Sequence, residues 1–168
     1  MSDRTPSVLF VCMGNICRSP AGEGLFLDLL AQRGLDDAVE VDSAGTIGYH
    51  TGAAPDRRMR RAAEARGVTL EGAARQVRAD DFERFDLVIA MDRENHADLD
   101  ALGLTRGGQL RLLSDFLDAD QRTTWGVDVP DPYYGGDAGF EHVLDMIEAA
   151  RERLLEHLID PAADEPRR

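Results

Sequence analysis

The stretch VLFVCMGNICRSP (residues 8–20) decides the fold that this sequence predicts. It opens on apolar residues that end at Cys12, which predicts a short strand buried in a sheet. The pattern then breaks at Gly14 and Asn15, two residue types that tolerate a positive φ. A backbone that turns sharply there directs successive N–H groups to one side and forms a concave site for an anion.

The end of the same stretch predicts a helix. Ser19 is a favourable N-cap, and Pro20 suits the first helical position because no backbone N–H is needed there. The helix would direct its free N–H groups and the positive end of its dipole into the loop, which favours phosphate. Cys12 would lie at the base of the loop, where these donors favour its thiolate, and Arg18 could bind two phosphate oxygens with its planar guanidinium.

Strands alternate with helices along the rest of the chain, which predicts one α/β domain over residues 1–168. We expect a central four-stranded parallel sheet with helices on both faces and the phosphate-binding loop after the first strand. Flexible tails are expected at residues 1–6 and 161–168. Further strands are predicted at 39–46, 87–91 and 109–113, and helices from residue 20 to 33, at 56–66, after residue 92 and at 139–159.

Composition excludes several classes of protein. A net charge of −13 over 168 residues argues against a nucleic-acid partner, which requires a broad basic surface. Two cysteines and four scattered histidines do not make a metal site, and no cofactor is expected. Without a signal-peptide pattern or an apolar span, we expect a cytoplasmic protein with no membrane partner, although leaderless secretion would leave no trace. A monomer or a weak homodimer is expected.

A second functional stretch is VDVPDPYYGGD (residues 127–137), where Pro and Gly predict an ordered loop. One interpretation is a simple turn with Tyr133 and Tyr134 packed on the surface. The chemistry of a thiolate nucleophile favours another, because expulsion of an alkoxide or phenoxide from phosphate needs an acid nearby. Asp131 is the best candidate, since it follows a strand that should end near the first loop.

Both stretches resemble the low-molecular-weight protein tyrosine phosphatases. Residues 11–20 look like the signature CX5R loop of that family, and residues 131–135 look like its general-acid loop. The resemblance implies a hydrolase of phosphotyrosine in proteins that forms a phosphocysteine at Cys12. It makes Arg18 the phosphate clamp and Asp131 the general acid and base.

The resemblance also implies supporting roles around the loop. Asn15 would orient the loop with support from Ser43, Ser19 would stabilise the Cys12 thiolate, and Cys17 would capture oxidised Cys12 in a disulfide, which makes the enzyme redox-sensitive. The remaining positions carried over are phosphate-binding loop residues Met13, Gly14 and Ile16 and mouth residues Tyr49, Tyr133 and Tyr134. His50 is expected near the loop with Tyr49.

Two other functions fit parts of the pattern. An arsenate reductase of the same fold would relay oxidation through further cysteines, but this chain has only Cys12 and Cys17. A non-catalytic module that binds phosphoproteins would need neither a nucleophile nor an acid, whereas both are present in this sequence.

The predicted helix at 56–66 carries a run of arginines. Such a run is typical of a solvated helix face. Its contrast with the acidic remainder of the chain leaves a substrate-recruiting patch as the alternative. The arginines are Arg57, Arg58, Arg60 and Arg61.

Overall fold

The computed structural model describes residues 4–133 and 135–160, which form an α/β fold around a four-stranded parallel sheet. The strand order is β2-β1-β3-β4, so the first strand lies inside the sheet as predicted. The strands are β1 (Ser7–Cys12), β2 (Glu40–Gly45), β3 (Leu87–Ala90) and β4 (Leu110–Leu112). The helices are α1 (Arg18–Gln32), α2 (Arg57–Glu64), α3 (Ala79–Arg84), α4 (Arg93–Asp100), a 3-10 turn (Leu113–Phe116), α5 (Ala119–Trp125) and α6 (Asp137–Ile159).

Alternate residues of β1 enter two different cores. Val8 and Phe10 pack with α1 and α6, whereas Leu9 and Val11 pack with α3 and α4 on the other face. All four side chains are essentially inaccessible to solvent. A strand covered on both faces cannot show a polar alternation, and this explains why its sequence is a continuous apolar run.

The strand order places the phosphate-binding loop at the switch point of the sheet, where the order of strands along the chain reverses direction. β1 pairs in parallel with β2 on one side and with β3 on the other, from Ser7 opposite Glu40 to Val11 opposite Ala90. Segments that leave the carboxyl ends of these strands therefore meet over one crevice, the usual ligand site of an open α/β sheet.

The predicted start of the first helix was wrong by two positions. α1 begins at Arg18 with Cys17 at the N-cap position, so Ser19 and Pro20 lie inside the first turn. Both the hydroxyl and the N–H of Ser19 contact the Cys12 sulfur, at 3.0 and 3.4 Å, so this residue is turned toward the loop rather than toward the N–H groups that follow it.

The other predicted elements differ mainly at their ends. Asp56 caps α2 by accepting a hydrogen bond from Arg58 N, but that helix ends at Glu64. Helices α3 and α5 and the 3-10 turn were not predicted, because they are short and have little apolar periodicity. The predicted tails fall largely on residues 1–3 and 161–168, which lie outside the described residues, as does Tyr134. No helix in the described part of the chain combines the length and apolarity needed to cross a membrane.

Candidate active site

The loop after β1 is held by its own carbonyl groups. The carbonyls of Cys12 and Met13 accept from the N–H groups of Thr46 and Ile47 at 2.9 and 3.1 Å, and the carbonyl of residue 16 accepts from the N–H of residue 56 at 2.7 Å. Asn15 adopts a φ of 58°, the one positive φ at a non-glycine among the described residues. A loop with its carbonyls engaged in this way has N–H groups available for an anion.

The Cys12 thiol lies at the base of this loop and is 2% exposed. Its Sγ is 3.0 Å from Ser19 Oγ, and the Ser19 backbone N–H donates to it at 3.4 Å. Ser19 belongs to the first turn of α1, so the sulfur also faces the positive end of that helix dipole. Donors and dipole both favour the thiolate, which is the nucleophilic form.

The Asn15 side chain fixes the direction of the hydrogen bonds around the sulfur. Its Oδ1 accepts from the backbone N–H of Arg75 at 3.0 Å, so its NH2 group must face the other way. That group donates to Ser19 Oγ at 2.8 Å and to Ser43 Oγ at 3.1 Å. Since Ser19 Oγ accepts from Asn15, the Ser19 proton is left for Cys12 Sγ or for a backbone carbonyl.

Ser43 is directed by a carboxylate. Its hydroxyl lies 2.6 Å from Glu23 Oε1 and donates to it, which leaves a lone pair for Asn15. Burial raises the pKa of Glu23, although the bond from Ser43 opposes that shift. The predicted support of Asn15 by Ser43 therefore continues to a third residue, Glu23, that the sequence did not indicate.

Arg75, whose N–H orients Asn15, is itself anchored by an ion pair. Its guanidinium donates through both terminal nitrogens to Asp81 at 2.9 Å, and one of them reaches Asp42 at 3.1 Å. Asp81 is 1% exposed and also accepts from Arg78 N. Burial opposes ionisation of Asp81, but the bonds from Arg75 and Arg78 outweigh it and lower the pKa.

Arg18 is buried and directed into the pocket by two partners. Its Nη1 donates to Asp92 Oδ2 at 2.5 Å and to the Val129 carbonyl at 3.1 Å. Its Nη2 is 3.8 Å from Asp131 Oδ2. Burial disfavours its charge, but Cys12 and Asp92 outweigh that effect, so the pKa of Arg18 is raised and the guanidinium remains charged.

Asp131 approaches the same pocket from the loop before α6. Its Oδ1 accepts from Tyr133 N at 3.0 Å, a local turn that orients the carboxyl group. The loop is tied down at both ends, since Val129 N donates to the Met91 carbonyl at 2.9 Å and Arg58 Nη2 donates to the Tyr133 carbonyl at 3.0 Å. The carboxyl side chain is 35% exposed, so it can reach both a bound ester and water.

The pocket is small and partly aromatic. Its volume of about 60 Å³ suits an oxyanion rather than a whole side chain. Tyr133 lies at its rim with His50, their ring centroids being 6.2 Å apart. Tyr49 stacks edge-on against His50 at 4.8 Å but is 84% exposed and does not line the pocket. The lining residues are Cys12, Met13, Gly14, Ile16, Cys17, Arg18, His50, Asp131 and Tyr133.

Several residues of the site escaped the sequence analysis. Asp92 lies two residues after the end of β3, and the rule that carboxyl ends of parallel strands share a crevice could have indicated it. Arg58 looked like one of several surface arginines, and nothing local distinguishes it. Arg75 acts on Asn15 through its backbone N–H, a group that nearly every residue has, so no pattern of side chains could reveal it.

Fold and site together define an α/β protein with a small pocket above a cysteine-containing loop, of a size that suits an oxyanion. A family model described as low molecular weight phosphotyrosine protein phosphatase matches residues 7–162. The chain belongs to this family and is a phosphatase.

Individual relatives agree with this assignment. The low molecular weight protein-tyrosine-phosphatase YfkJ of Bacillus subtilis is 41% identical over 151 residues, which cover 89% of this chain and 93% of that protein. The human low molecular weight phosphotyrosine protein phosphatase is 38% identical over 155 residues, 90% of this chain and 95% of that protein.

Solved structures share the fold. The crystal structure of YfkJ superposes with a TM-score of 0.86 at 37% identity, covering 96% of this chain and 99% of that chain. The crystal structure of a drosophila arginine phosphatase has a TM-score of 0.80 at 31% identity, covering 94% of this chain and 99% of that chain.

Proposed function

We propose that this phosphatase hydrolyses phosphotyrosine in proteins through a phosphocysteine intermediate on Cys12. The observation that carries the proposal is the convergence of three groups on one pocket: the Cys12 sulfur, the Arg18 guanidinium and the Asp131 carboxyl. These are the nucleophile, the charge stabiliser and the acid that cleavage of a phosphate ester needs.

In the first step the phosphate occupies the loop and the Arg18 guanidinium binds two of its oxygens. The Cys12 thiolate attacks phosphorus, the new S–P bond forms, and the bond from phosphorus to the tyrosine oxygen breaks. Asp131 in its acid form gives its proton to the departing phenolic oxygen. Ser19 Oγ stabilises the thiolate before attack, and the loop N–H groups stabilise the charge on the equatorial oxygens.

In the second step Asp131 acts as a base. Its carboxylate takes a proton from a water molecule, the water oxygen attacks phosphorus, and the S–P bond breaks. The electron pair returns to Cys12 as a thiolate that Ser19 again stabilises, and inorganic phosphate leaves. One carboxyl serves both steps because the first leaves it ionised.

Preference for an aryl ester is supported by the rim of the pocket. Tyr133 and His50 present ring surfaces where the phenyl group of phosphotyrosine would lie. A phosphoserine has no ring to pack there.

Two free thiols suit a reducing compartment, and on that basis we infer a cytoplasmic enzyme.

Phosphoarginine is the competing substrate, because one structural relative is called an arginine phosphatase. The reductase alternative needs cysteines beyond Cys12 and Cys17, and the chain contains no others. A non-catalytic binding module would not need the Cys12 nucleophile and the Asp131 acid in the same pocket.

The test compares phosphotyrosine, phosphoserine, phosphoarginine and, with a thiol reductant, arsenate as substrates of the parent protein. We expect the highest kcat/KM for phosphotyrosine and no arsenate reduction. Cys12→Ser should abolish turnover and keep phosphate binding, whereas turnover near the parent rate would refute the nucleophile. Rapid acid quench of Asp131→Asn with an aryl phosphate of good leaving group should show one phosphoryl group on Cys12 by mass spectrometry.

A further inference from the structure

Three arginines of α2 form no ion pair with another described residue, and two of them, Arg57 and Arg61, are exposed. They are Arg57, Arg60 and Arg61, which share one side of the helix at i, i+3 and i+4 and are called the arginine face here. Within residues 4–133 and 135–160, the ion pairs of this segment involve Arg58 and Arg66 and none of these three. The chain has 32 acidic residues, so acidic partners are plentiful.

Part of the arginine face costs the helix stability. Arg57 lies in the first turn of α2, where the positive end of the helix dipole disfavours cations; the N-cap Asp56 offsets part of this cost, and Arg61 in the last turn is favourably placed. Arg57 and Arg61 are also like charges at i, i+4, which repel each other. An anion bound from outside would remove both penalties.

The arginine face lies beside the mouth of the active site. The N-cap of α2 is Asp56, whose N–H donates to the Ile16 carbonyl of the phosphate-binding loop at 2.7 Å. Side chains on a helix lean toward its N-terminus, and Arg60 shows this by donating to the Pro55 carbonyl at 3.0 Å. The Arg60 guanidinium is therefore directed toward the end of α2 that contacts the phosphate-binding loop, and the same lean is expected of Arg57 and Arg61.

A groove between α2 and α6 lies next to this mouth, since Arg58 lines the groove and donates to the carbonyl of Tyr133 at the rim. Its volume is about 220 Å³, with Arg58 and Arg61 on one wall and Phe140 at its base. The opposite wall carries Asp137 and Glu141, and Glu141 pairs at 2.5 Å with Arg66, a guanidinium that it shares with Asp145 and Glu148. The wall formed by α2 is thus the positive side on which an extended peptide could continue beyond the pocket.

We propose that the arginine face binds Asp or Glu residues that flank the phosphotyrosine, so that acidic phosphopeptides are the preferred substrates. This inference rests on the proposed function. The eight residues of α2 span about 12 Å, the length of roughly three to four extended peptide residues. A net charge of −13 repels acidic peptides elsewhere on the protein, so only a local positive surface can hold them at the mouth.

The experiment uses two phosphotyrosine peptides that differ only by Glu or Gln at the flanking positions. The measured quantity is the ratio of their kcat/KM values, obtained for the parent, Arg57→Glu, Arg61→Glu and the control Arg153→Glu. Arg153 is exposed like Arg57 and Arg61 and gives the same change in net charge. It lies 16 residues into α6, about 24 Å along the helix from its start.

We expect the parent to prefer the Glu peptide and to lose this preference as salt increases. Arg57→Glu and Arg61→Glu should each lower the ratio roughly three- to tenfold, as expected when an exposed attraction becomes a repulsion. Arg153→Glu should leave the ratio unchanged. Arg57→Glu places an acidic residue in the first turn of α2, which is favourable, whereas Arg61→Glu removes the basic residue of the last turn at a small cost in stability. Thermal unfolding verifies that both variants are folded at the assay temperature.

Two results would overturn the inference while leaving the proposed function intact. One is equal kcat/KM for both peptides in the parent, and the other is an equal drop of the ratio in Arg61→Glu and Arg153→Glu, which would indicate net charge alone. Hydrolysis of free phosphotyrosine, assayed alongside, distinguishes failure of this inference from failure of the proposed function. If free phosphotyrosine is not hydrolysed, the proposed function itself fails.

Discussion

Replacing Asp92 by Asn tests whether an ion pair or only the shape of the loop holds the Arg18 guanidinium. Asp92 performs two tasks with its two oxygens. Oδ2 accepts from Arg18 Nη1 at 2.5 Å, and Oδ1 accepts from Asn95 N at 2.7 Å as the N-cap of α4. Asn keeps an oxygen for the cap but removes the negative charge beside Arg18.

The expected loss of stability follows from burial. Removing one partner of a fully buried ion pair costs about 3–5 kcal/mol. The side chains of Arg18 and Asp92 are 4% and 18% exposed, and Arg18 keeps its bond to the Val129 carbonyl. We therefore expect about 1–3 kcal/mol for Asp92→Asn, which lowers Tm by about 2–12 °C in a chain of this size. Asp92→Ala should lose about 1 kcal/mol more, because it also removes the cap.

Activity should fall as well, since an untethered guanidinium no longer meets the phosphate in one fixed position. We expect kcat/KM for an aryl phosphate to drop by about 10- to 100-fold, the usual cost of misplacing a catalytic group by a fraction of an ångström to one ångström. The assays are urea unfolding and hydrolysis of para-nitrophenyl phosphate.

Asp118 provides the matched control. It caps α5 by accepting from Gln121 N at 2.8 Å, and no cation of the described residues pairs with it. Asp118→Asn should change stability by less than about 0.5 kcal/mol, and Asp118→Ala should cost about 1 kcal/mol. If Asp92→Asn matched Asp118→Asn in stability and kept kcat/KM within about twofold of the parent, the ion pair would not position Arg18.

Three further predictions concern protons and redox chemistry. Asp131→Asn should lower kcat by about 10²- to 10⁴-fold for an ester with a poor leaving group and by less for an ester with a good one. An equal decrease of kcat for both esters would mean that Asp131 has a structural role. Burial raises the pKa of Glu23, so the folded state binds more protons than the unfolded state between the two pKa values and stability falls as pH rises there. Glu23→Gln should therefore stabilise the protein at pH 7 and lose this advantage below about pH 4, the unfolded pKa of a Glu. Urea unfolding measured across pH is the test, and an extra stability of the variant that grew in acid would contradict the prediction. Burial, followed by the charge of Asp56, raises the pKa of Cys17, so Cys17 is a thiol at neutral pH. We therefore expect Cys17 to trap peroxide-oxidised Cys12 as a disulfide only slowly. If mass spectrometry finds only sulfinic and sulfonic acids at Cys12, Cys17 does not protect it.

Much of the fold could be predicted from apolar patterns and helix caps in the sequence. β1 was predictable because a strand buried on both faces is apolar throughout, and α6 was predictable because one of its sides repeats at helical spacing. Asp56 and Asp92 were recognisable as residues at helix starts. Short elements such as α3 lack a long periodic pattern, so packing rather than local preference forms them.

The start of α1 shows where local preference is overruled. Ser19 and Pro20 have the pattern of a cap and a first helical residue, yet the helix begins at Arg18. The Ser19 hydroxyl lies 3.0 Å from the Cys12 sulfur and accepts from Asn15, and the Ser19 N–H donates to the same sulfur at 3.4 Å. These contacts join the first turn of α1 to β1 and are distant enough from the local cap pattern that only the folded loop reveals them.

The sequence by itself determined the chemistry of the phosphate-binding loop. Cys12, Asn15, Arg18 and Ser19 fall within eight consecutive residues, and a tight turn between a strand and a helix brings such residues together whatever the rest of the chain does. Only the tertiary structure decided how these groups are aimed. Arg18 is directed by a carbonyl 111 residues away, because hydrogen-bond partners distant in sequence are chosen by sheet topology and packing.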